Sequence, residues 1–329
     1  MSQTLQRLVS GIQPTGAMHL GNYWGAIKNW VTLQADYQTF FMIADLHSLT
    51  SVYDDPSRLR QDRYHLILDL LSVGIDPQKA CLFFQSDVPQ HAELHLVFSM
   101  LTPLPWLERV PSYKSKIDDL KDKDLNTYGF LGYPVLQAAD ILLYKAHAVP
   151  VGKDQLPHLE LTREIARRFN FLYGPVFDEP TDLLTVNEVL QGTDGRKMSK
   201  SYGNTIPLQC STENLNKLVM AMVTDPARVR RHDPGNPKVC GVYALHTIYS
   251  SKEEQAEIFE GCTSAQLGCV DCKKKCFAVI DSWMGPIREK RAQMENEKGL
   301  VDDIRQQGAQ KAGQVAQETL NQVKQVIGL

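Results

Sequence analysis

Apolar positions in the first half of the chain follow two rhythms in turn. Residues 7–12 form a short β-type run that ends in the turn Gln13-Pro14-Thr15-Gly16. From about Leu20 the side chains Leu20, Tyr23, Trp24, Ile27, Trp30 and Val31 recur at helical spacing, which predicts a helix. Residues 39–44 (TFFMIA) are a continuous apolar run, as in a strand covered on both faces. Asp55-Pro56-Ser57 opens a helix that turns Leu59, Leu66, Ile67, Leu70 and Leu71 inward and stops at Gly74. Residues 80–85 (ACLFFQ) read as another buried strand. This alternation predicts a parallel sheet with helices on both faces, whose ligands sit at the carboxyl ends of the strands.

The pattern changes from about Leu183. Residues 191–204 are rich in Gly, Lys and Ser and poor in apolar side chains, which predicts a loop free to move. Helical patterns then cover residues 213–222, 242–249, 252–259, 277–297 and 301–327. The expected organisation is α/β. A Rossmann-like parallel-sheet domain spans residues 1–185, and a mostly helical domain spans 186–310. The last helix, about 311–329, is a candidate to pack back on the first domain. No internal repeat or low-complexity tract is present.

Composition narrows the class. The chain has 329 residues, enough for about two domains and for a core that needs no disulfides. Apolar residues make up 43% and charged residues 22%, which excludes a disordered chain, a collagen and a coiled-coil rod. The apolar runs are far shorter than the ~20 residues of a membrane span, so no membrane partner is expected. The opening MSQTLQRLVSG lacks a basic stretch followed by an apolar one, so no secretory signal is expected and the location is read as cytoplasmic. The 35 basic and 38 acidic residues leave a net charge of −3, so nucleic acid must be held by a local patch, and no DNA partner is expected. Seven cysteines, an odd number, argue against a disulfide framework.

Two segments carry the chemistry. The run GIQPTGAMHLGNY (residues 11–23) goes from strand through a Gly/Pro turn to a helix start, which suits a phosphate cradle. It matches neither common nucleotide-binding fingerprint. The glycines alone fit an ordinary βα turn equally well. In the second segment, GRKMSKSYGN (residues 195–204), Lys197 and Lys200 stand three apart on a small-residue loop. Two such ammonium groups can oppose the charge that develops on leaving phosphate oxygens, although a solvated basic loop explains them equally well when they are taken alone.

Together the two segments identify a family. His19-Leu20-Gly21-Asn22 resembles the HIGH-type signature, and Lys197-Met198-Ser199-Lys200-Ser201 is the KMSKS signature letter for letter. Their order and separation resemble the class I aminoacyl-tRNA synthetases of the tyrosyl/tryptophanyl subgroup. Residues 133–142 (YPVLQAADIL), 151–155 (VGKDQ), 11–14 (GIQP) and 44–47 (ADLH) resemble the bacterial tryptophanyl-tRNA synthetases, and the likeness runs from about residue 8 to the C-terminus. The family often has Met where this chain has Gln137.

The resemblance implies tryptophan–tRNA ligation, with ATP as substrate, Mg²⁺ balancing phosphate charge, tRNA(Trp) as partner, and a homodimer. It assigns Asp140 to the indole N–H and Gln155, His47, Tyr133 and Gln137 to the rest of the amino-acid pocket. It assigns ATP contacts to Gln13, Pro14, Thr15, Gly21, Asn22, Gly152, Lys153, Asp154, Leu190, Lys197, Met198, Ser199, Lys200 and Ser201. The residues placed in catalysis are Lys197, Lys200, His19, Asn22 and Gln13. Chemistry agrees about Asp140. Indole has one donor and no acceptor, and an unfilled buried carboxylate penalises Phe, which lacks the donor. The helical domain is implied to read the anticodon. A tyrosyl-tRNA synthetase and a non-catalytic paralogue are the rival readings.

Five of the cysteines lie in one stretch. Cys262-x6-Cys269-x2-Cys272 follows Cys240 and precedes Lys273, Lys274, Lys275 and Cys276. Four converging thiolates suit zinc or an iron–sulfur cluster, and composition does not separate the two. The spacing resembles the iron–sulfur-containing subset of the family, with one residue fewer after the first cysteine. That resemblance implies a [4Fe–4S] cluster on Cys240, Cys262, Cys269 and Cys272, with zinc the alternative and Cys276 a possible substitute ligand. The lysine triplet and Arg228, Arg230 and Arg231 are candidate tRNA phosphate contacts, though lysine runs are more often solvated faces. His91 and His95, four apart on a helix, lack the HExxH order and read as a polar helix start. Lys114, between Trp106 and Lys116, is a weaker candidate for ATP contact.

Overall fold

The computed structural model describes residues 5–110, 127–184 and 189–329. The chain divides into two compact units. The first comprises Met1–Gly16, Asn29–Val186 and Lys298–Leu329, and the second Ala17–Lys28 and Asn187–Glu297.

The first unit is built on a five-stranded parallel sheet, β1 (Arg7–Ile12), β2 (Gln38–Ile43), β3 (Cys81–Phe84), β4 (Ala148–Val151) and β5 (Thr181–Leu184), in the order β3-β2-β1-β4-β5. Val9 stands opposite Phe40 and Gly11 opposite Met42, while Leu8 on its other side faces Ala148. β2 is buried along nearly its whole length, as its continuous apolar run requires. The strand order reverses between β1 and β4. Chains leaving those two strands diverge, and a crevice opens at their carboxyl ends. The helices Gln90–Leu101, Tyr128–Leu142 and Leu156–Tyr173 are amphipathic and close the core over Phe40, Phe83, Phe98, Tyr144 and Phe169.

The C-terminal helix, Leu300–Ile327, belongs to this first unit and lies on β3. Gly308 makes the approach possible, because a Cβ there would overlap the Leu82 carbonyl. Arg305 grips Asp87 through two nitrogens, and Lys324 pairs with Glu93. The helix thereby covers a strand that would otherwise be an open sheet edge.

The second unit is helical over Thr212–Ala221, Gly241–Tyr249, Lys252–Thr263 and Cys269–Glu295. Ser211 and Ser251 cap two of these helices, the second through a capping box with Glu254. The helix expected from residue 277 begins at Cys269, directly after Gly268. Two further features depart from the sequence expectations. Ala17–Lys28, placed in the first domain by chain order, groups with the second unit. Leu20 N–H donates to the Ile206 carbonyl and Leu208 N–H to that of Met18, and the Trp24 indole N–H donates to the Tyr249 hydroxyl. The continuous helix expected from Leu20 is instead interrupted by a π-helical turn over Tyr23–Ile27. Among the described residues, no helix is long and apolar enough to cross a membrane.

Candidate active site

A cavity of about 310 Å³ lies in the first unit at the carboxyl ends of β1 and β4. Its walls include Gly11 and Gln13 after β1, His47 after β2, and Val149, Val151 and Gln155 around β4. The Tyr128–Leu142 helix supplies Tyr133, Gln137, Asp140 and Ile141, four residues at helical spacing on one face. Thr127 starts that helix by accepting the Phe130 N–H. Asp45 fixes the start of the helix that carries His47, with a carboxylate that accepts from Arg63 and the Ser86 N–H. The lining is mostly apolar with a few convergent polar groups, as expected of a small-molecule site.

Asp140 is the cavity's buried carboxylate, with 2% of its surface exposed. Its Oδ2 lies 2.7 Å from His47 Nε2. Its Oδ1 lies 2.7 Å from His91 Nδ1 and accepts from Gln85 Nε2 at 2.8 Å. Burial alone would raise this carboxyl; the His47 charge and the hydrogen bonds from His47 and His91 outweigh it and hold the group below the usual carboxylate range. Asp140 is therefore an anion with two oxygens and three donors, which leaves capacity for a fourth. His158 Nδ1 lies 2.8 Å from Gln137 Oε1, and its Nε2 lies 3.2 Å from the Tyr133 hydroxyl.

The second unit holds a separate polar assembly. His19 caps the segment that begins at Leu20. Its Nδ1 accepts the Asn22 N–H, and Asn22 Oδ1 accepts the His19 N–H. The Gly21 N–H donates to Met198 Sδ at 3.3 Å. Burial, reinforced by the Lys200 charge, lowers the His19 pKa to about 4. Residues 191–204 are not an unstructured loop, because buried Asn204 organises them. Its Oδ1 accepts from the Ser199 N–H, and its Nδ2 donates to Asp194 and to the Lys197 carbonyl. Gly192 packs so tightly on Asn204 that no side chain fits there. Lys197 and Ser201 are exposed, Ser199 and Lys200 are half-buried, and Leu190 and Met198 are buried beneath them.

A third group surrounds a small enclosed cavity of about 20 Å³ in the second unit. Cys240, Cys262, Cys269 and Cys272 all line it, beside Arg228, Tyr243 and Ile258. Burial, together with Cys240, Cys262 and Cys269, pushes the Cys272 thiol up to about 12. Cys262 is raised by burial as well. Among the described residues, no group of three or more His, Cys, Asp or Glu side chains is arranged to hold a metal ion. Cys276 is fully buried, faces the Val242 carbonyl, and does not line this cavity.

The structure thus brings Gln13, His47, Tyr133, Gln137, Asp140 and Gln155 to one cavity. Pro14 and Thr15 follow β1, and Gly152, Lys153 and Asp154 follow β4, all outside its lining. His19, Gly21, Asn22 and the residues from Leu190 to Ser201 sit in the second unit. Lys114 and Lys116 lie outside the described residues. The sequence reading missed Gln85, Tyr144, His158 and Asn204. Their hydrogen-bond partners are distant in the chain or hidden in a loop, and no local pattern marks them. His91 was noticed only as half of a histidine pair.

Comparison with known proteins agrees with this geometry. Residues 1–284 match the family model of the class I tRNA synthetases (W and Y). A tryptophan–tRNA ligase of Thermotoga maritima is 50% identical over 325 residues, covering 98% of this chain and 99% of that protein. One from Ralstonia nicotianae is 42% identical over 98% of each chain. The crystal structure of a Campylobacter jejuni tryptophanyl-tRNA synthetase complexed with ADP and tryptophan superposes with a TM-score of 0.89. It shares 36% identity over 98% of this chain and 100% of that one.

Proposed function

This chain belongs to the class I tRNA synthetases for tryptophan and tyrosine, and on that premise we infer that it is a tryptophan–tRNA ligase. It activates L-tryptophan with ATP, releases pyrophosphate, and passes the amino acid to the 3′-terminal adenosine of tRNA(Trp). The observation that carries the choice of amino acid is the buried Asp140 anion in a mostly apolar cavity, with room for one more donor. The indole N–H supplies that donor, and phenylalanine leaves it unfilled.

Catalysis is positioning plus charge stabilisation, and no enzyme nucleophile is required. The tryptophan carboxylate attacks the α-phosphorus in line, and pyrophosphate leaves. The adenosine hydroxyl of the tRNA then attacks the mixed anhydride, and AMP leaves. Tyr133, Gln137, His47 and Gln155 bound the amino acid with Asp140. Gln13, Pro14, Thr15, Gly152, Lys153 and Asp154 contact ATP. Gly21 and Asn22 cradle it, His19 stands near the phosphates, and Leu190, Met198, Ser199 and Ser201 shape the loop. Lys197 and Lys200 oppose the charge on the leaving pyrophosphate. Mg²⁺ would balance phosphate charge.

The helical unit reads the anticodon, and Cys240, Cys262, Cys269 and Cys272 would hold a [4Fe–4S] cluster there. Supporting this are the four thiols on one cavity that no carboxylate lines. The cluster would supply a structural brace, and Arg228 and the lysines beside it would face tRNA phosphates. The working form is a cytoplasmic homodimer.

Aminoacylation of tRNA with labelled tryptophan and tyrosine tests the assignment. Preferential tyrosine charging overturns it, and absence of tryptophan-dependent pyrophosphate exchange in a folded sample favours a non-catalytic paralogue. Iron and sulfide analysis of anaerobically prepared protein tests the cluster. Zinc without iron changes the cofactor and leaves the reaction as stated.

A further inference from the structure

Three residues that do not line the tryptophan cavity hold the carboxylate that does. Tyr144 is fully buried and stacks on Phe40 of β2 at 4.6 Å between ring centroids. Its hydroxyl lies 2.7 Å from His91 Nε2. His91 is also fully buried, lies against Phe83 of β3, and reaches Asp140 Oδ1 through Nδ1. The Asp140 anion at 2.7 Å needs a donor at His91 Nδ1, so the imidazole hydrogen stands there and the bare Nε2 accepts from the Tyr144 hydroxyl. Burial and the nearby Asp140 charge push the Tyr144 phenol well above its ordinary range, so the hydroxyl keeps the hydrogen it donates. Gln85 is the second donor to Oδ1, and its own Oε1 accepts the His47 N–H. Oδ1 then has both lone pairs occupied, while Oδ2 has only His47.

We propose that Tyr144 and His91 are positioning residues for tryptophan selection: Tyr144 fixes the tautomer of His91, and His91 pins one oxygen of Asp140 so that the other stays available to the indole N–H. The proposal rests on the reading of Asp140 as the indole acceptor. Without the Tyr144 hydroxyl, the His91 hydrogen can move to Nε2. The bare Nδ1 then faces an anionic oxygen, and the carboxylate loses the orientation its remaining donors do not enforce. Neither residue touches substrate, so the effect appears as a loss of discrimination at the indole nitrogen and leaves the phosphate chemistry in place.

The test uses the full chain and amino-acid-dependent pyrophosphate exchange. Two substrates are compared, tryptophan and its analogue with sulfur in place of the indole N–H. In Tyr144→Phe the KM for tryptophan rises about tenfold, kcat changes much less, and the KM for the analogue hardly moves, so the preference for tryptophan falls by about the same factor. His91→Leu gives the same pattern. His91→Asn places an amide donor where Nδ1 was, with no tautomer to fix, and keeps the preference; adding it to Tyr144→Phe restores what that variant lost. A purely structural role predicts no such rescue. Unchanged preference in folded Tyr144→Phe and His91→Leu, checked by circular dichroism melting, overturns the proposal. The His91 pair decides the matter if Tyr144→Phe does not fold. Asp140→Ala, which leaves no acceptor, in parallel separates the two levels. If it keeps the preference, the reading of Asp140 is at fault. If it loses the preference while the other variants keep it, only the positioning role fails.

Discussion

The backbone N–H of Gly21 donates a hydrogen bond to Met198 Sδ at 3.3 Å, joining two signature segments 177 residues apart in the chain. The contact puts the start of the His19-capped segment and the lysine loop in one packed assembly of the second unit. The glycine allows a close approach: a Cβ at position 21 would stand 3.1 Å from the His19 ring and 3.3 Å from the Met198 Cβ, so those neighbours would have to give way.

Gly21→Ala should therefore displace the loop by a few tenths of an ångström or more. The expected result is a drop of about tenfold to a hundredfold in kcat for pyrophosphate exchange, with little change in the KM for tryptophan. Steady-state kinetics with each substrate varied in turn checks it.

Lys197→Ala and Lys200→Ala should each lower kcat by about 10²–10³-fold, the usual cost of removing one preorganised charge-stabilising group. Tryptophan binding in the absence of ATP, measured by fluorescence quenching, should stay near the wild-type value. A loss of tryptophan affinity would show that the loop acts on the amino acid instead of the phosphates.

His19 supplies a pH prediction. With its pKa lowered to about 4 from the ordinary 6.5, it is neutral in both folded and unfolded chains above about pH 6.5 and contributes nothing to pH dependence there. Between those two values the unfolded chain takes up the proton and the folded chain does not, so stability falls as the pH is lowered through that window. Activity between about pH 6 and 9 should show no limb that His19→Asn removes, although the substitution lowers kcat at every pH. Rate profiles of the two proteins make the comparison.

Gly308→Val tests the docking of the C-terminal helix. The new side chain meets the Leu82 backbone, which has no freedom to yield. Destabilisation of about 1–3 kcal/mol or more is expected, read as a lower denaturant midpoint. Arg305→Ala, which removes the paired contact with Asp87, the ion pair with Asp302 and the contact with the Phe84 ring, should cost less.

Local periodicity made much of this molecule readable from the chain alone. The strands at residues 7–12, 39–44 and 80–85 agree with β1, β2 and β3 to within a residue; for β2 and β3 the reason is that a strand buried on both faces needs an unbroken apolar run. Asp140, His47 and Tyr133 were singled out through short residue strings that resemble a family, and the structure brings the three to one cavity. Long-range pairing was not legible. Residues 17–28 belong with the second unit through hydrogen bonds to residues 206 and 208 and the Trp24–Tyr249 contact, none of which leaves a mark on nearby sequence. The same holds for Asn204 beneath the lysine loop and for Tyr144 and His91 behind Asp140. A side chain's role there comes from a partner tens of residues away, and hydrogen-bond geometry exists only once packing has brought the two within about 3 Å.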